Sequence, residues 1–185
     1  MISALTPLEF LSRNAIAYRD CTAEVDGDRR FTYSEMQQRV HSFGAALQHA
    51  GIAPGDRVAV LARNGLLPLE AHYAVPLIGA VLVSLNIRLQ GRELATILNH
   101  SGARILLGDA DLLAALQASR AEILEVERVV SDYETFLGGG SKPVMPHAPG
   151  ENDVISINYT SGTTGVPKGV MYTHRGAYLN AIGES

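Results

Sequence analysis

Between residues 55 and 131, short continuous apolar runs alternate with segments long enough to form helices. Apolar and polar residues do not alternate within the runs, which is typical of strands covered on both faces. Strands and helices that follow one another in this way form right-handed βαβ units around a parallel sheet. The sequence therefore predicts an α/β fold, doubly wound, with a mainly parallel sheet and flanking helices. The predicted strands are 57–61, 80–85, 103–107 and 128–131, and the predicted helices are 66–78, 91–99 and 111–118.

An N-terminal β-hairpin and a helix are predicted over residues 21–51. The hairpin turn contains Gly27, which suits the positive φ that such turns need. We expect the helix to begin at Ser34, with Gln37 at capping-box spacing, and to end at Gly51. The hairpin strands are 21–25 and 29–33, and the apolar stripe of the helix consists of Met36, Val40, Phe43, Leu47 and Ala50.

A linker and a last strand follow the βα units. Residues 138–150 contain four glycines and three prolines with almost no periodic apolar content, so they are predicted to form a linker loop. A strand is predicted over 154–159, and a further helix is expected to begin near Thr173. We expect Asp109 to cap the helix that follows it and Tyr159 to lie in the core.

Composition excludes several classes of function. The 185 residues are 46% apolar, which is enough for a hydrophobic core and excludes intrinsic disorder. The formal net charge is −4, so we expect no basic surface for nucleic acid or for an anionic membrane. The longest apolar run, 74–85, contains a proline and a glycine and is too short to span a bilayer. A single cysteine, Cys21, cannot form an internal disulfide, and we therefore predict a cytoplasmic protein.

The stretch 160–169 reads Thr-Ser-Gly-Thr-Thr-Gly-Val-Pro-Lys-Gly and directly follows the last predicted strand, so that 154–169 form a strand and a loop. Its hydroxyls, glycines and lysine can turn backbone N–H groups, O–H groups and an ammonium toward a polyanion. The order is not that of a Walker A motif, because Gly169 follows Lys168 where that motif has Ser or Thr. The stretch predicts a phosphate-binding loop at a strand end, and the alternative is a surface loop of common turn-forming residues.

This stretch resembles the phosphate-loop signature of the adenylate-forming (AMP-binding) superfamily, which includes acyl-CoA synthetases, peptide-synthetase adenylation domains and beetle luciferases. Two further segments resemble that superfamily in the expected order. Phe-Thr-Tyr-Ser-Glu-Met at 31–36 is similar to its early Thr-Tyr-x-Glu-Leu segment, and 77–89 is similar to its second core segment. Within the latter, Asn86-x-Arg88-Leu89 is similar to the form found in fatty-acyl and related CoA ligases. The resemblance therefore favours the acyl-CoA synthetase branch.

The resemblance implies a two-step acid–thiol ligase reaction. A carboxylate would attack the α-phosphorus of Mg-ATP to give an acyl adenylate and pyrophosphate, and CoA would then displace AMP. ATP, Mg²⁺ and CoA are thus the implied cofactors and substrates. Carried over by position, four hydroxyl residues would donate to the β- and γ-phosphates: Thr160, Ser161, Thr163 and Thr164. Gly162 and Gly165 would allow the turn, and Lys168 would offset charge.

The resemblance also implies that polypeptide beyond this chain completes the enzyme. Members of the superfamily are roughly three times longer and consist of a large domain and a small mobile one. Residues 1–185 would be the N-terminal part of the large AMP-binding domain, without the small C-terminal domain and without any assignable catalytic or metal-binding residue. We then expect this part to be inactive alone. Its charged fraction, 18% against a typical value of about 25%, fits an apolar face that the rest of the polypeptide would cover.

Two other functions stay open from the sequence. One is a non-catalytic ATP- or phosphate-binding or interaction module, and the other is an adenylation domain of the peptide-synthetase type with a different thiol acceptor. An oligomer is compatible with either. We expect His174 to be a structural residue of the first helical turn after Thr173, rather than an acid or a base. Cys21 is expected to pack in the hairpin, since no base accompanies it in the sequence.

Overall fold

A computed structural model describes residues 4–140, 142–160 and 167–183, which form two β-sheets and the helices around the larger sheet. The predicted α/β fold with a mainly parallel sheet is confirmed. The strands are β1 (Thr22–Asp26), β2 (Arg29–Thr32), β3 (Arg57–Leu61), β4 (Val81–Ser84), β5 (Ala103–Gly108), β6 (Arg128–Val130), β7 (Val154–Thr160) and β8 (Lys168–Thr173). The α-helices are α1 (Leu8–Ala17), α2 (Tyr33–His49), α3 (Leu66–Leu77), α4 (Gly91–Ser101), α5 (Ala110–Ala115), α6 (Tyr133–Leu137) and α7 (His174–Gly183).

The larger sheet has the strand order β6-β5-β3-β4-β7-β8. Its first five strands are parallel, and β8 pairs antiparallel with β7. From β3 the chain moves to β4 on one side and then crosses back to β5 on the other side. Right-handed crossovers in opposite directions place their helices on opposite faces of a sheet. The arrangement is therefore doubly wound, and the β1–β2 hairpin forms the separate small sheet.

Strand β3 lies at the centre of the sheet and is covered on both faces. Val58 and Val60 belong to a hydrophobic cluster that includes residues of α2 and α3, whereas Ala59 and Leu61 belong to a second cluster with α4. None of these four side chains is more than 2% exposed. The continuous apolar run of the sequence thus corresponds to a strand that is buried on both faces. The observed bounds of β3 are the predicted ones.

The carboxyl ends of the five parallel strands meet at one edge of the sheet. At this edge β5 approaches β3 so closely that Gly108 has no room for a side chain. A Cβ atom at Gly108 would lie 2.2 Å from the carbonyl oxygen of Leu61. That carbonyl also accepts a hydrogen bond of 3.1 Å from the N–H of Asp109. Backbone contacts therefore fix the point at which the loop after β5 leaves the sheet.

The N-terminal cap of α2 differs from the predicted one. The Thr32 side chain accepts a hydrogen bond from the Glu35 N–H at 3.2 Å, and the Glu35 carboxylate accepts one from the Thr32 N–H at 2.8 Å. The expectation for Ser34 and Gln37 was wrong, because the extended backbone ends at Thr32 and Ser34 already lies inside the first turn. The predicted apolar stripe is confirmed by the buried side chains of Met36, Val40, Phe43 and Leu47 and the partly buried Ala50.

Two helices were not predicted, and one was predicted too long. Helix α1 follows Thr6 and Pro7, and the Thr6 hydroxyl accepts a hydrogen bond of 3.3 Å from the Leu8 N–H, so this Thr-Pro pair is a start signal that the sequence analysis overlooked. Helix α6 is only five residues long, and its clearest signal is the hydrogen bond that the Asp132 side chain accepts from the Thr135 N–H at 3.0 Å. The helix expected over 111–118 changes to a 3₁₀ helix at Leu116–Glu122. Within the described ranges, no helix is long and apolar enough to cross a membrane.

We expect Gly108→Ala to destabilise the fold because the new methyl group would overlap the Leu61 carbonyl oxygen. Overpacking of this kind costs about 1–3 kcal/mol of unfolding free energy. Urea denaturation of the protein measures the loss. Gly138→Ala is the matched control, since its Cβ would meet only the Thr135 carbonyl at 3.5 Å in ordinary helical backbone. Equal stability of the two variants would contradict the packing described for this edge.

Candidate phosphate-binding site

The predicted phosphate-binding loop connects two paired strands at the carboxyl edge of the sheet. Strand β7 is parallel to β4, so Thr160 ends at the same edge as the other parallel strands. Strand β8 returns antiparallel, with Lys168 paired to Thr160 and Gly169 paired to Tyr159. The structure thus brings Thr160 and Lys168 together at the base of the connection, and both are exposed. The other predicted site residues, Ser161, Gly162, Thr163, Thr164 and Gly165, lie outside the described residues.

Strand β8 is part of the site that the sequence analysis missed. The motif ends at Gly169 and the next helix was expected near Thr173, which left the residues between them unassigned. Those residues are Val170, Met171 and Tyr172, which include two types with high β-propensity. That signal marks a strand, and the return strand makes Lys168 a sheet residue instead of a residue within a long loop.

Tyr159 connects the end of β7 to helix α4. Its hydroxyl forms a 2.7 Å hydrogen bond with Nδ1 of His100, and the two rings meet edge to face with centroids 5.7 Å apart. Burial raises the pKa of Tyr159, which keeps the hydroxyl protonated at neutral pH. The expectation of a core position is only partly right: the side chain is half-buried against the α4 cluster because it lies beside the outermost strand.

Gly169 allows β8 to pass close to the side chains of β7. A Cβ atom at this position would lie 2.9 Å from Cγ2 of Ile157 and 3.2 Å from Cζ of Tyr159. The first distance is shorter than real Cβ contacts, so a larger residue would push the strands apart. Close packing against the side chains of β7 therefore favours glycine at position 169, directly after Lys168 at the base of the loop.

The segment after β4 lies next to this base. Asn86 follows β4, which is the neighbour of β7 in the sheet, and its side-chain oxygen accepts a hydrogen bond from the Arg88 N–H at 3.0 Å. The Arg88 side chain is exposed and forms no ion pair with any residue of the described ranges. A second exposed cation therefore lies in the loop that follows β4, the strand beside β7.

A polar cleft of about 680 Å³ lies over the carboxyl ends of β3, β5 and β6, but its cations are already paired. The Arg63 guanidinium donates to Asp109 at 3.1 Å and to Asp111 at 2.6 Å, and this contact lowers the pKa of Asp111. Asp109 stands at the N-cap position of α5, as expected, but its side chain makes no capping hydrogen bond, because its carboxylate accepts from the backbone and side chain of Arg63 instead. Arg29 is likewise paired with two carboxylates. Among the described residues, Lys168 at the base of the β7–β8 connection takes part in no ion pair.

His174 is a structural residue, as expected. It is 2% exposed, and its Nδ1 lies 2.8 Å from the hydroxyl of Thr6. Burial lowers the pKa of His174, so the ring is neutral at pH 7. The Thr173 hydroxyl accepts the Gly176 N–H at 3.1 Å, which agrees with the expected cap. In contrast, Cys21 was expected to pack and is exposed, because it lies in the bend before β1.

Known proteins with similar sequences include CoA ligases. A long-chain-fatty-acid–CoA ligase of Thermus thermophilus is 40% identical over 94% of this chain and 33% of its own length. A 4-hydroxybutyrate–CoA ligase of Metallosphaera sedula is 38% identical over 98% of this chain and 36% of its own length. The chain thus spans about a third of the length of these curated relatives.

Solved structures show the same architecture. The N-terminal domain of FACL13 from Mycobacterium tuberculosis, solved with an inhibitor, has a TM-score of 0.83 and 31% identity, over 91% of this chain and 44% of that one. An anthranilate CoA ligase in complex with anthranoyl-AMP has a TM-score of 0.86 over 95% of this chain and 35% of that one. At 23% identity, the second likeness concerns the fold alone. The family model described as AMP-binding enzyme matches residues 11–184, and the chain therefore belongs to the AMP-binding enzyme family.

Proposed function

We propose that this chain is the N-terminal portion of an ATP-dependent acyl-CoA synthetase that acts on fatty or related acids. In the first step the substrate carboxylate attacks the α-phosphorus of ATP, and the bond to the β-phosphate oxygen breaks to release pyrophosphate. In the second step the thiolate sulfur of CoA attacks the acyl carbon and AMP leaves. Relatives named as CoA ligases for long-chain fatty acids and for 4-hydroxybutyrate support this assignment.

The observation that carries the proposal is the pairing of Thr160 with Lys168 at the carboxyl edge of the sheet. Two anions must meet in the first step, and negative charge builds up on the departing pyrophosphate. Hydroxyl, amide and ammonium donors that are already in place stabilise such charge without reorganising during the reaction. We assign this role to the hydroxyls of Thr160, Ser161, Thr163 and Thr164, to the turn at Gly162 and Gly165, and to the ammonium of Lys168.

We assign Mg²⁺ to the bound ATP. Among the described residues, no three His, Cys, Asp or Glu side chains lie close enough together to hold a metal ion. By resemblance, Mg²⁺ would accompany ATP, where it would neutralise phosphate charge. Within this chain, the exposed Lys168 and the exposed Arg88 in the loop after the neighbouring strand β4 supply positive charge at the same edge.

The remaining functions of the enzyme belong to polypeptide outside these residues. The chain matches only about a third of each relative, and by resemblance the adenine pocket, the metal-holding glutamate, the ribose-binding aspartate, the hinge and the adenylation lysine lie beyond it. We therefore propose that residues 1–185 are inactive alone and that the full enzyme is cytoplasmic. The relatives' names favour CoA over a peptide-synthetase thiol acceptor, and a non-catalytic phosphate-binding module is the other alternative.

We expect Lys168→Ala to slow ATP–pyrophosphate exchange in the full-length protein that contains this chain. Loss of one charge-assisted hydrogen bond to a phosphate costs about 1.5–3 kcal/mol, which corresponds to roughly a tenfold to hundredfold slower exchange. The matched control is Lys142→Ala, because Lys142 is the chain's other lysine and is exposed in the linker loop. Exchange that is equally fast in both variants would contradict the role assigned to Lys168.

The same assay separates the alternatives. A wild-type protein that exchanges pyrophosphate and then forms thioesters with free CoA is an acyl-CoA synthetase. Exchange without CoA-dependent turnover would indicate the peptide-synthetase type of adenylation domain. ATP binding with no exchange for any carboxylic acid would indicate a non-catalytic module and would refute the proposed function.

We further expect Gly169→Ala to lower kcat/KM for ATP, because its methyl group would collide with Ile157 and displace Lys168. A misplacement of about 1 Å at a reacting group can cost up to about a hundredfold in rate. Steady-state kinetics with varied ATP measures the effect. Gly183→Ala is the control, since its Cβ would meet no atom within 4 Å. Unchanged kinetics in Gly169→Ala would show that the loop base tolerates displacement.

A further inference from the structure

A buried carboxylate joins three helices on one side of the sheet. Glu70 of α3 is fully buried, and one of its oxygens accepts a 2.5 Å hydrogen bond from Nε of Arg39 in α2. Its other oxygen accepts a short hydrogen bond from the Tyr133 hydroxyl in α6. Arg39 also donates to the Glu134 carboxylate at 2.9 and 3.0 Å and lies over the ring of Phe31. The negative charge of Glu70 is therefore already balanced by the nearest cation.

A second carboxyl group enters this network from the hairpin. Glu24 of β1 is 5% exposed, and both of its oxygens are buried without a hydrogen-bond donor among the described residues. Glu24 lines the same cleft as Pro68, Leu69 and His72, which lie on either side of Glu70 along α3. Burial, and after it the neighbouring Glu70 carboxyl, raises the pKa of Glu24. Two ionised carboxylates in contact away from water repel each other strongly, whereas one proton between them turns the contact into a hydrogen bond.

The other charges near Glu24 do not neutralise it. Arg39 is bound to Glu70 and Glu134, and Asp26 on the same strand adds negative charge. The Arg29 guanidinium is paired with both Asp26 and Glu134, at 2.7 and 2.8 Å.

A tyrosine and a histidine complete the surroundings. Burial and the charge of Glu70 raise the pKa of Tyr133, so its hydroxyl stays protonated and donates to Glu70. His72 lines the cleft beside Glu24, and its Nδ1 is 2.6 Å from the Pro68 carbonyl oxygen, within its own helix. No uncommitted cation in the described part of the chain therefore faces Glu24.

We propose that Glu24 is protonated and shares its proton with Glu70, and that this proton fastens the β1–β2 hairpin to helix α3 as a base-sensitive latch. In the closed state the Glu24 O–H donates to a Glu70 oxygen, which has a free lone pair beside the one used by Arg39 or Tyr133. Loss of the proton leaves two facing carboxylates, and the hairpin must then move away from α3 or admit water. The latch is independent of the proposed ligase function.

The sign of the pH dependence follows from the direction of the pKa shift. Burial and the neighbouring Glu70 raise the pKa of Glu24 from 4.5 to about 8. A folded-state pKa above the unfolded value means that the folded protein holds the proton more tightly. The stability from this group is complete below the unfolded pKa and is lost as pH rises through about 8. In between, the folding equilibrium constant falls by up to about tenfold per pH unit.

The test compares the protein with its Glu24→Gln variant by urea denaturation from about pH 5 to about pH 9. A glutamine amide mimics the protonated acid, donates to Glu70 and does not titrate. We expect the ratio of the folding equilibrium constants, variant over wild type, to rise by up to about tenfold per pH unit and to level off above about pH 8. Glu125→Gln, a change at an exposed glutamate with no ion pair among the described residues, should leave the ratio constant.

Hydrogen exchange provides a second measurement that does not depend on a variant. After correction for intrinsic rates, the backbone amides of β1 and β2 in the wild-type protein should lose protection progressively as pH rises from about 5 to about 8 and show no further loss above it, while those of β3 keep theirs. The proposal is overturned if the Glu24→Gln ratio is flat with pH, or if hairpin protection does not change across this range. If Glu24→Gln does not fold, the exchange result alone decides.

Discussion

Burial of the parallel sheet on both faces is the constraint on which the rest of the structure depends. Because β3 contacts one hydrophobic cluster through Val58 and Val60 and another through Ala59 and Leu61, it cannot shift by one residue without exchanging the two faces. The register of β4 and β5 follows from pairing with β3. β7 pairs in turn with β4. The position of Thr160 at the carboxyl edge is therefore set by β3 and β4, which contain none of the predicted site residues.

The elements that were predicted well are those whose signal lies within a few neighbouring residues. The prediction of β3 was correct because a short apolar run lies between the charged residues Arg57 and Arg63, and the stripe of α2 was correct because its period spans four turns. Helix α6 is too short for a periodic pattern, and the start of α1 at Thr6 and Pro7 was overlooked. Strand β8 was missed because the two β-forming residues Val170 and Tyr172, between a glycine and a helix cap, carry little weight alone.

The candidate site likewise has features that the local sequence predicts and features that only the structure shows. Thr160 and Lys168 were identified from local composition, and their register across β7 and β8 is what the structure adds. The bond between Tyr159 and His100 joins residues 59 positions apart, so no sequence window contains it. The contact of Glu24 with Glu70 was beyond prediction for a stronger reason. In β1 the apolar Val25 is 53% exposed and the charged Glu24 is buried, which inverts the pattern by which strand faces are assigned.

The outermost strand of the larger sheet has a consequence for handling the protein. In the described part of the chain β8 has a partner only on its β7 side, and Val170, Met171 and Tyr172 are 43%, 66% and 45% exposed. A strand edge with free backbone donors and acceptors and with apolar side chains can pair with another edge of the same kind. Recombinant material limited to these residues would therefore need dilute solution or added charge on β8 to remain dispersed during purification.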